Sequence, residues 1–173
     1  MTFNLLDDAW IPIRRAQGQI ETIVPWQITD QYSTNHIVAL DVPRPDFNGA
    51  LMQFLIGLLQ TAAPPKQADD SDWIEWLENP PSPESLKAKF SVYSTAFNLD
   101  GEGPRFMQDF NELDSKKPET ISGLFLESPG ENTLKNNADH FNKRDLIKGI
   151  CPACAAIALF ALQTNAPSGG AGH

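Results

Sequence analysis

Two short runs near the start of the chain are rich in β-forming side chains: Ala9-Trp10-Ile11-Pro12-Ile13-Arg14 and Ile20-Glu21-Thr22-Ile23-Val24, with Gln17-Gly18-Gln19 between them. Such runs around a glycine predict a hairpin. Proline has no N–H to give a ladder, so Pro12 puts the first run on a sheet edge. Pro25 then opens a short helical segment over residues 26–32. A different period begins after Pro43-Arg44-Pro45-Asp46. Phe47, Leu51, Phe54, Leu55, Leu58, Leu59 and Ala62 recur at helical spacing, with Asp46 as the N-cap. The apolar positions spread over more than one face, which predicts a helix buried at the centre of the domain. Pro64-Pro65 ends it. Ser71-Asp72 then caps a short helix carrying Trp73, Ile74, Trp76 and Leu77, and a second short helix covers residues 83–90.

Beyond residue 91 the helical period is lost. Residues 93–99, 105–109 and 123–126 read as short strands joined by turns, one of them Gly101-Glu102-Gly103-Pro104. Residues 128–148 are polar with few apolar anchors. So long a stretch without a core face predicts a functional loop, one that docks or orders on assembly. A last helix over residues 152–164 is apolar nearly all round, and Ala166-Pro167-Ser168-Gly169-Gly170-Ala171-Gly172-His173 follows it. A glycine-rich loop after a buried helix leads into another element. The expectation is therefore an incomplete N-terminal domain of mixed α/β (α+β) class, with an edge hairpin, a buried central helix and long loops.

Composition narrows the class. The 173 residues are 41% hydrophobic and 9% aromatic, which suits one folded domain. The longest apolar stretch, residues 49–64, is broken by Gln53 and Gln60 and falls short of the ~20 residues of a membrane span. The opening turns acidic at Asp7-Asp8 with no basic segment before it, and two cysteines make no disulfide framework. A cytoplasmic protein without a membrane partner is expected. The net charge of −9 argues against a nucleic-acid partner, but its distribution is uneven. Residues 1–130 hold nine Lys/Arg against nineteen Asp/Glu, whereas residues 131–173 hold four against three. Any phosphate contact should therefore come from the last quarter, and the rest is solvated acidic surface.

Three stretches carry candidate chemistry. Cys151-Pro152-Ala153-Cys154 stands at a helix start. It suits a redox pair, half of a structural zinc site, or two small thiols packing a helix end. A thioredoxin-like fold needs a parallel strand before the motif and most of its sheet after it, and only nineteen residues follow Cys154. A closed zinc site needs four ligands. His140 and His173 are poorly spaced to supply them, so the zinc reading is a half-site that residues outside the chain would complete. The second stretch gathers Lys135, His140, Phe141, Asn142, Lys143 and Arg144. Basic groups beside an aromatic ring suit phosphate neutralisation and base stacking, and equally a solvated loop. The third is Gly169, Gly170, Ala171 and Gly172, which lets backbone approach a ligand closely or serves as a linker. The lysine and Ser/Thr of a phosphate-binding P-loop are missing there. His36, His140 and His173 sit in unrelated contexts, and Asp7-Asp8 and Asp69-Asp70 read as acidic turns. No acid–base or nucleophile–base arrangement is visible, so no enzyme is expected.

Taken in order, several runs resemble the large subunit of the type I-E CRISPR surveillance complex Cascade, the CasA family. They are Asn4-Leu5-Leu6-Asp7-Asp8-Ala9-Trp10-Ile11-Pro12-Ile13-Arg14, the helix over residues 46–63, Arg105-Phe106-Met107-Gln108, the C-x-x-C, Ala155-Ala156-Ile157-Ala158-Leu159-Phe160, and residues 165–173. The resemblance implies a subunit that reads the protospacer-adjacent motif in target duplex DNA and starts strand separation, while guide-RNA pairing reads the sequence. Its implied partners are the other Cascade subunits, the guide RNA, the target DNA and a recruited helicase-nuclease. The family's glycine loop, which enters the minor groove at the motif, corresponds to Gly169, Gly170, Ala171 and Gly172. A second family loop, docking near the start of the guide RNA, corresponds to the region of Phe141, Asn142, Lys143 and Arg144. The duplex-opening wedge and a motif-contacting lysine would lie beyond residue 173. The competing readings are a thiol-disulfide oxidoreductase using Cys151 and Cys154, and a plain interaction domain.

Overall fold

The hairpin forms where the β-rich runs put it. In the computed structural model, which describes residues 2–67, 69–109, 120–141 and 147–165, β1 (Ile11–Arg15) and β2 (Ile20–Ile23) pair antiparallel, Ile11 opposite Ile23. Gly18 turns the chain between them at a φ of 86°, a conformation that costs glycine little. The segment after Pro25 is two separate turns, a 3-10 turn at Pro25–Gln27 and the single-turn α1 (Tyr32–Asn35), rather than one helix. A third strand that the sequence reading missed, β3 (Ile37–Leu40), pairs antiparallel with the free edge of β1. The order is β2-β1-β3, so Pro12 lies in the central strand and not at an edge. It is tolerated because its carbonyl accepts the N–H of Asp41 at 2.8 Å, one residue past the end of β3. The donor that proline lacks would face the place where the ladder has already ended.

Behind the hairpin turn Arg15 is buried, with 2% of its side chain exposed. Its guanidinium donates to the carboxylates of Glu21 and Asp30 and to the carbonyls of Asp30 and Asn35. A buried cation is costly unless every donor is engaged. Here the engagement ties the hairpin to the turns that follow it.

The α2 helix (Pro45–Ala62) has Pro45 in its first turn and Arg44 at the cap position, so Asp46 sits inside the helix and is not its N-cap. Its carboxylate instead accepts from the Arg44 guanidinium at 2.7 Å. Phe47, Ala50, Leu51, Phe54, Leu55 and Leu58 are buried, while Met52 and Ile56, one turn apart, are exposed. The helix thus lies in the core as its apolar positions predict, with the side that carries Met52 and Ile56 left open. Asp69 caps α3 (Asp70–Glu78) by accepting the Asp72 N–H at 2.9 Å, so the cap precedes the expected Ser71-Asp72. Ser82 caps α4 (Pro83–Ser91), the second short helix expected, which buries Leu86 and Phe90 one turn apart.

The expected strands between residues 93 and 126 are absent among the described residues. In their place are 3-10 turns at Ser94–Phe97 and Ile121–Leu124. This stretch is held by the chain's opening instead of a ladder. Asn4 forms a single bridge with Asn98, and its amide donates to the Ser94 carbonyl and the Asn98 side chain at 2.8 and 2.7 Å. The Asp7 and Asp8 carboxylates accept within the same knot, from Ser94 and from the Asn4 backbone. After the one-turn α5 (Glu131–Lys135) comes α6 (Pro152–Asn165). Buried Ala156, Ala158 and Ala161 let α6 approach α2 closely. The core centres on Phe54, whose ring meets Trp10, Phe97, Phe106 and Phe160 at centroid distances of 5.5, 6.2, 5.8 and 5.7 Å. Among the described residues no helix is long and apolar enough to cross a membrane.

Candidate nucleic-acid interface

Both ends of α6 carry candidate chemistry. At its start, Cys151 occupies the position of an N-cap: its carbonyl accepts the first helical N–H, from Ala155 at 2.9 Å, and its sulfur accepts the N–H of Cys154 at 3.3 Å. Cys151 is exposed and Cys154 half-buried. Burial above all, then hydrogen bonding and charge repulsion from Cys151, pushes the Cys154 thiol up to about 11. A thiol held so high stays protonated at neutral pH. The surroundings are unlike a thioredoxin-type fold, since no strand precedes the motif at residues 147–150 and the three-stranded sheet belongs to residues 11–40. Two soft sulfurs one helical turn apart do fit half of a zinc site. Among the described residues no third His, Cys, Asp or Glu joins them.

Upstream of that helix, Phe141 is 99% exposed, a disposition open to stacking. His140 and Lys135 are exposed beside it in sequence. The described part of the polar stretch contains α5 and turns, with Asn137 in the left-handed region at φ 49°. Asn142, Lys143 and Arg144 lie outside the described residues, as do Gly169, Gly170, Ala171, Gly172 and His173.

Two arginines that the sequence reading did not single out for a role frame these segments. Arg44 grips the start of the polar stretch. Its guanidinium makes a two-pronged ion pair with Glu127, both contacts at 2.8 Å, and a second pair with Asp46. It also lies 4.9 Å from the Phe47 ring and 5.0 Å from the Phe125 ring. Hydrogen bonds from Arg44 hold the Asp46 and Glu127 carboxyls below the usual carboxylate range. Nothing local in the sequence signals this clamp, because Glu127 is 83 residues away.

Arg105 stands at the other end of α6. It lines an open cleft of about 550 Å³ together with Met107, Gln108, Asp109 and Gln163. Gln163, in the last turn of α6, donates its side-chain amide to the Met107 carbonyl, and Asn165 donates to Gln53 of α2 at 3.3 Å. Met107 holds a left-handed backbone, φ 52°, which a non-glycine residue adopts only when its surroundings enforce it. The Gln108 amide reaches back to the Leu99 carbonyl at 2.7 Å. These bonds fix the point from which residues 166–173 continue. The signal available in the sequence was the run Arg105-Phe106-Met107-Gln108.

Comparison with known proteins gives this arrangement its relatives. A sequence model of the family described as "CRISPR-associated protein Cse1 (CRISPR_cse1)" matches residues 4–173. Among solved structures, Cse1 of Acidimicrobium ferrooxidans superposes with a TM-score of 0.68 at 21% identity, over 94% of this chain and 28% of that one. CasA (Cse1) of Thermus thermophilus gives 0.71 at 20% identity, over 99% of this chain and 33% of that one. Cse1 of Thermobifida fusca gives 0.71 at 17% identity, over 94% and 30%. Such identities speak for a shared fold, and the chain spans about a third of the length of the structures it matches. The sequence match, running from the Asn4 knot to the glycine-rich end, carries the further conclusion: the chain belongs to the Cse1 family of CRISPR-associated proteins.

Proposed function

We propose that this chain is the N-terminal part of the DNA-recognition subunit of a type I-E Cascade complex. In this reading Gly169, Gly170, Ala171 and Gly172 enter the minor groove at the protospacer-adjacent motif and help begin strand separation. The observation that carries it is the family match over residues 4–173, which takes in the glycine run. The minor groove offers a degenerate set of acceptors, so backbone contacts from a glycine loop would tolerate several motif variants. Phe141 with Asn142, Lys143 and Arg144 would dock against the rest of the assembly and the guide RNA, and the exposed ring of Phe141 supports this. The subunit itself would do no chemistry; a helicase-nuclease recruited to the full-length protein would cut. Cys151 and Cys154 would supply two thiolates to a structural zinc ion, with the remaining ligands from outside this chain. A cytoplasmic location follows from the same reading.

The test is target binding by the complex reconstituted with the full-length subunit, on duplexes with and without the motif. Replacing Gly169 and Gly170 by valine adds branched side chains that block close approach and disfavour positive φ. Binding to motif-bearing DNA should fall about tenfold or more while binding to motif-free DNA changes little. Equal affinity of parent and variant for motif-bearing DNA would leave the glycine run a linker and refute the reading.

A further inference from the structure

We propose that Arg105 binds a backbone phosphate of the target duplex, in the cleft at the foot of the glycine loop. The inference rests on the reading of residues 169–172 as the groove-entering element, and adds to it a contact that the glycine run cannot make. Four arginines lie among the described residues, and three are committed to carboxylates. Arg14 pairs with Asp41, Arg15 with Glu21 and Asp30, and Arg44 with Asp46 and Glu127. Arg105 is exposed and makes no ion pair among the described residues. In a chain with 22 acidic residues against 13 basic ones, an arginine with no carboxylate partner among the described residues stands out. Asp100, Glu102 and Asp109 are all within five positions of it in sequence, yet none takes it as a partner in the ion pairs found.

Its position supplies the ligand class. Arg105 lines the same cleft as Gln163, three residues before the stretch that carries the glycine run begins. The cleft is open and about 550 Å³, roomy enough for a phosphodiester and its sugar. Its wall is set by the Gln163 bond to Met107, by the Gln108 bond to Leu99 and by the enforced backbone of Met107. The planar guanidinium has two parallel N–H donors that match a phosphate, and it needs no proton adjustment to stay charged. A loop that lies in a groove must pass close to the strand that walls it. A cation carried beside the last turn of α6, after which that run follows in sequence, would meet the wall's phosphates and set how deeply the loop sits.

The experiment uses the reconstituted complex with the full-length subunit, titrated with motif-bearing and motif-free duplex at several salt concentrations between 50 and 300 mM, about the range over which phosphate contacts are resolved. Arg105→Gln should weaken both duplexes by a similar factor, roughly three- to tenfold, and reduce the slope of log affinity against log salt by about one. Arg105→Lys should keep the slope, and Arg14→Gln, which removes an arginine already paired with Asp41, should change neither quantity. Unchanged affinity and slope in Arg105→Gln overturn the proposal. So does a defect confined to guide-RNA loading, which would make RNA the ligand. A parental complex that does not prefer motif-bearing DNA refutes the glycine-loop reading instead, and the salt slope of Arg105→Gln still decides the phosphate contact on either duplex. Thermal melts of the three variants within a degree or two of the parent exclude a folding defect.

Discussion

Arg44 offers a test of how the polar stretch is anchored. Replacing it by alanine removes the paired contacts to Glu127, the contact to Asp46, and the stacking against Phe47 and Phe125. The side chains of Arg44 and Glu127 are 36% and 50% exposed, so solvent screens the ion pair heavily. The pair is therefore worth at most about 1 kcal/mol, its two-pronged geometry placing it at the upper end of the exposed range. The two ring contacts contribute about 0.5–1 kcal/mol more. Arg44→Ala should then cost about 1–2 kcal/mol, or roughly 2–8 °C of melting temperature for a domain of this size. A double-mutant cycle with Glu127→Ala should return a coupling near 1 kcal/mol.

The pH dependence separates the ionic part from the stacking. Asp46 and Glu127 have folded pKa values lowered by Arg44 from ordinary values of 3.8 and 4.5. A depressed carboxyl stabilises the fold above its unfolded pKa and loses that contribution as pH falls through its folded value. The melting difference between the parent and Arg44→Gln should be full above about pH 5 and shrink progressively below pH 4, leaving the ring contribution. Melts followed by circular dichroism from pH 7 to pH 3 read this directly. A difference that stays constant over that range, or a coupling of zero, would show that the ion pairs contribute nothing and that the rings alone hold the clamp.

Phe54→Ala should destabilise the domain by about 3–5 kcal/mol, because the ring touches four other aromatic rings and its loss leaves a cavity among them; denaturant unfolding reads this, and a cost under 1 kcal/mol would contradict the central place given to it. Alkylation of Cys154 by iodoacetamide should be slow at pH 8 and accelerate as pH approaches its thiol pKa of about 11, whereas rapid labelling at pH 7 would contradict the effect of burial. The 173-residue chain alone should bind zinc weakly through Cys151 and Cys154, since two thiolates leave half of the tetrahedral positions to solvent; stoichiometric zinc after dialysis against a mild chelator would point to further local ligands.

The parts of the fold legible in the sequence are those specified by neighbours along the chain. The α2, α4 and α6 helices have their spacing, proline starts and, for α4, its serine cap written within a few residues. β3 was missed because Ile37-Val38-Ala39-Leu40 carries no turn signal, and its role depends on a free edge of β1 more than twenty residues earlier. The same strand turned the edge reading of Pro12 wrong. Residues 93–99 and 105–109 contain β-forming side chains, yet Phe97 and Phe106 go singly into the aromatic cluster while Asn4 takes up the backbone and side chain of Asn98. At the site, composition marked Phe141 and the cysteines. Arg44 gave no local signal because it acts through a residue 83 positions away, and Arg105 showed only as the first residue of the run 105–108, since what distinguishes it is the carboxylates it does not bind among the described residues.

The α6 helix explains why so much of the core is spent on an element with little chemistry of its own. Its 14 residues make a rod of about 21 Å. Cys151 and the polar stretch lie at its start, and the chain continues to the glycine run from its end. Small side chains seat the rod on α2, where Phe160 meets Phe54 at 5.7 Å, and the amides of Gln163 and Asn165 fasten its last turn to Met107 and Gln53. If the glycine run reads a groove while Phe141 engages the assembly, the segment of chain between them contains a helix that cannot stretch. Misplacement by even one ångström would then be felt at both contacts, so the tolerance for error lies in the loops and not in the rod. Enlarging Ala158, which is fully buried, should therefore disturb DNA recognition and assembly together, whereas changes within either loop should affect one alone.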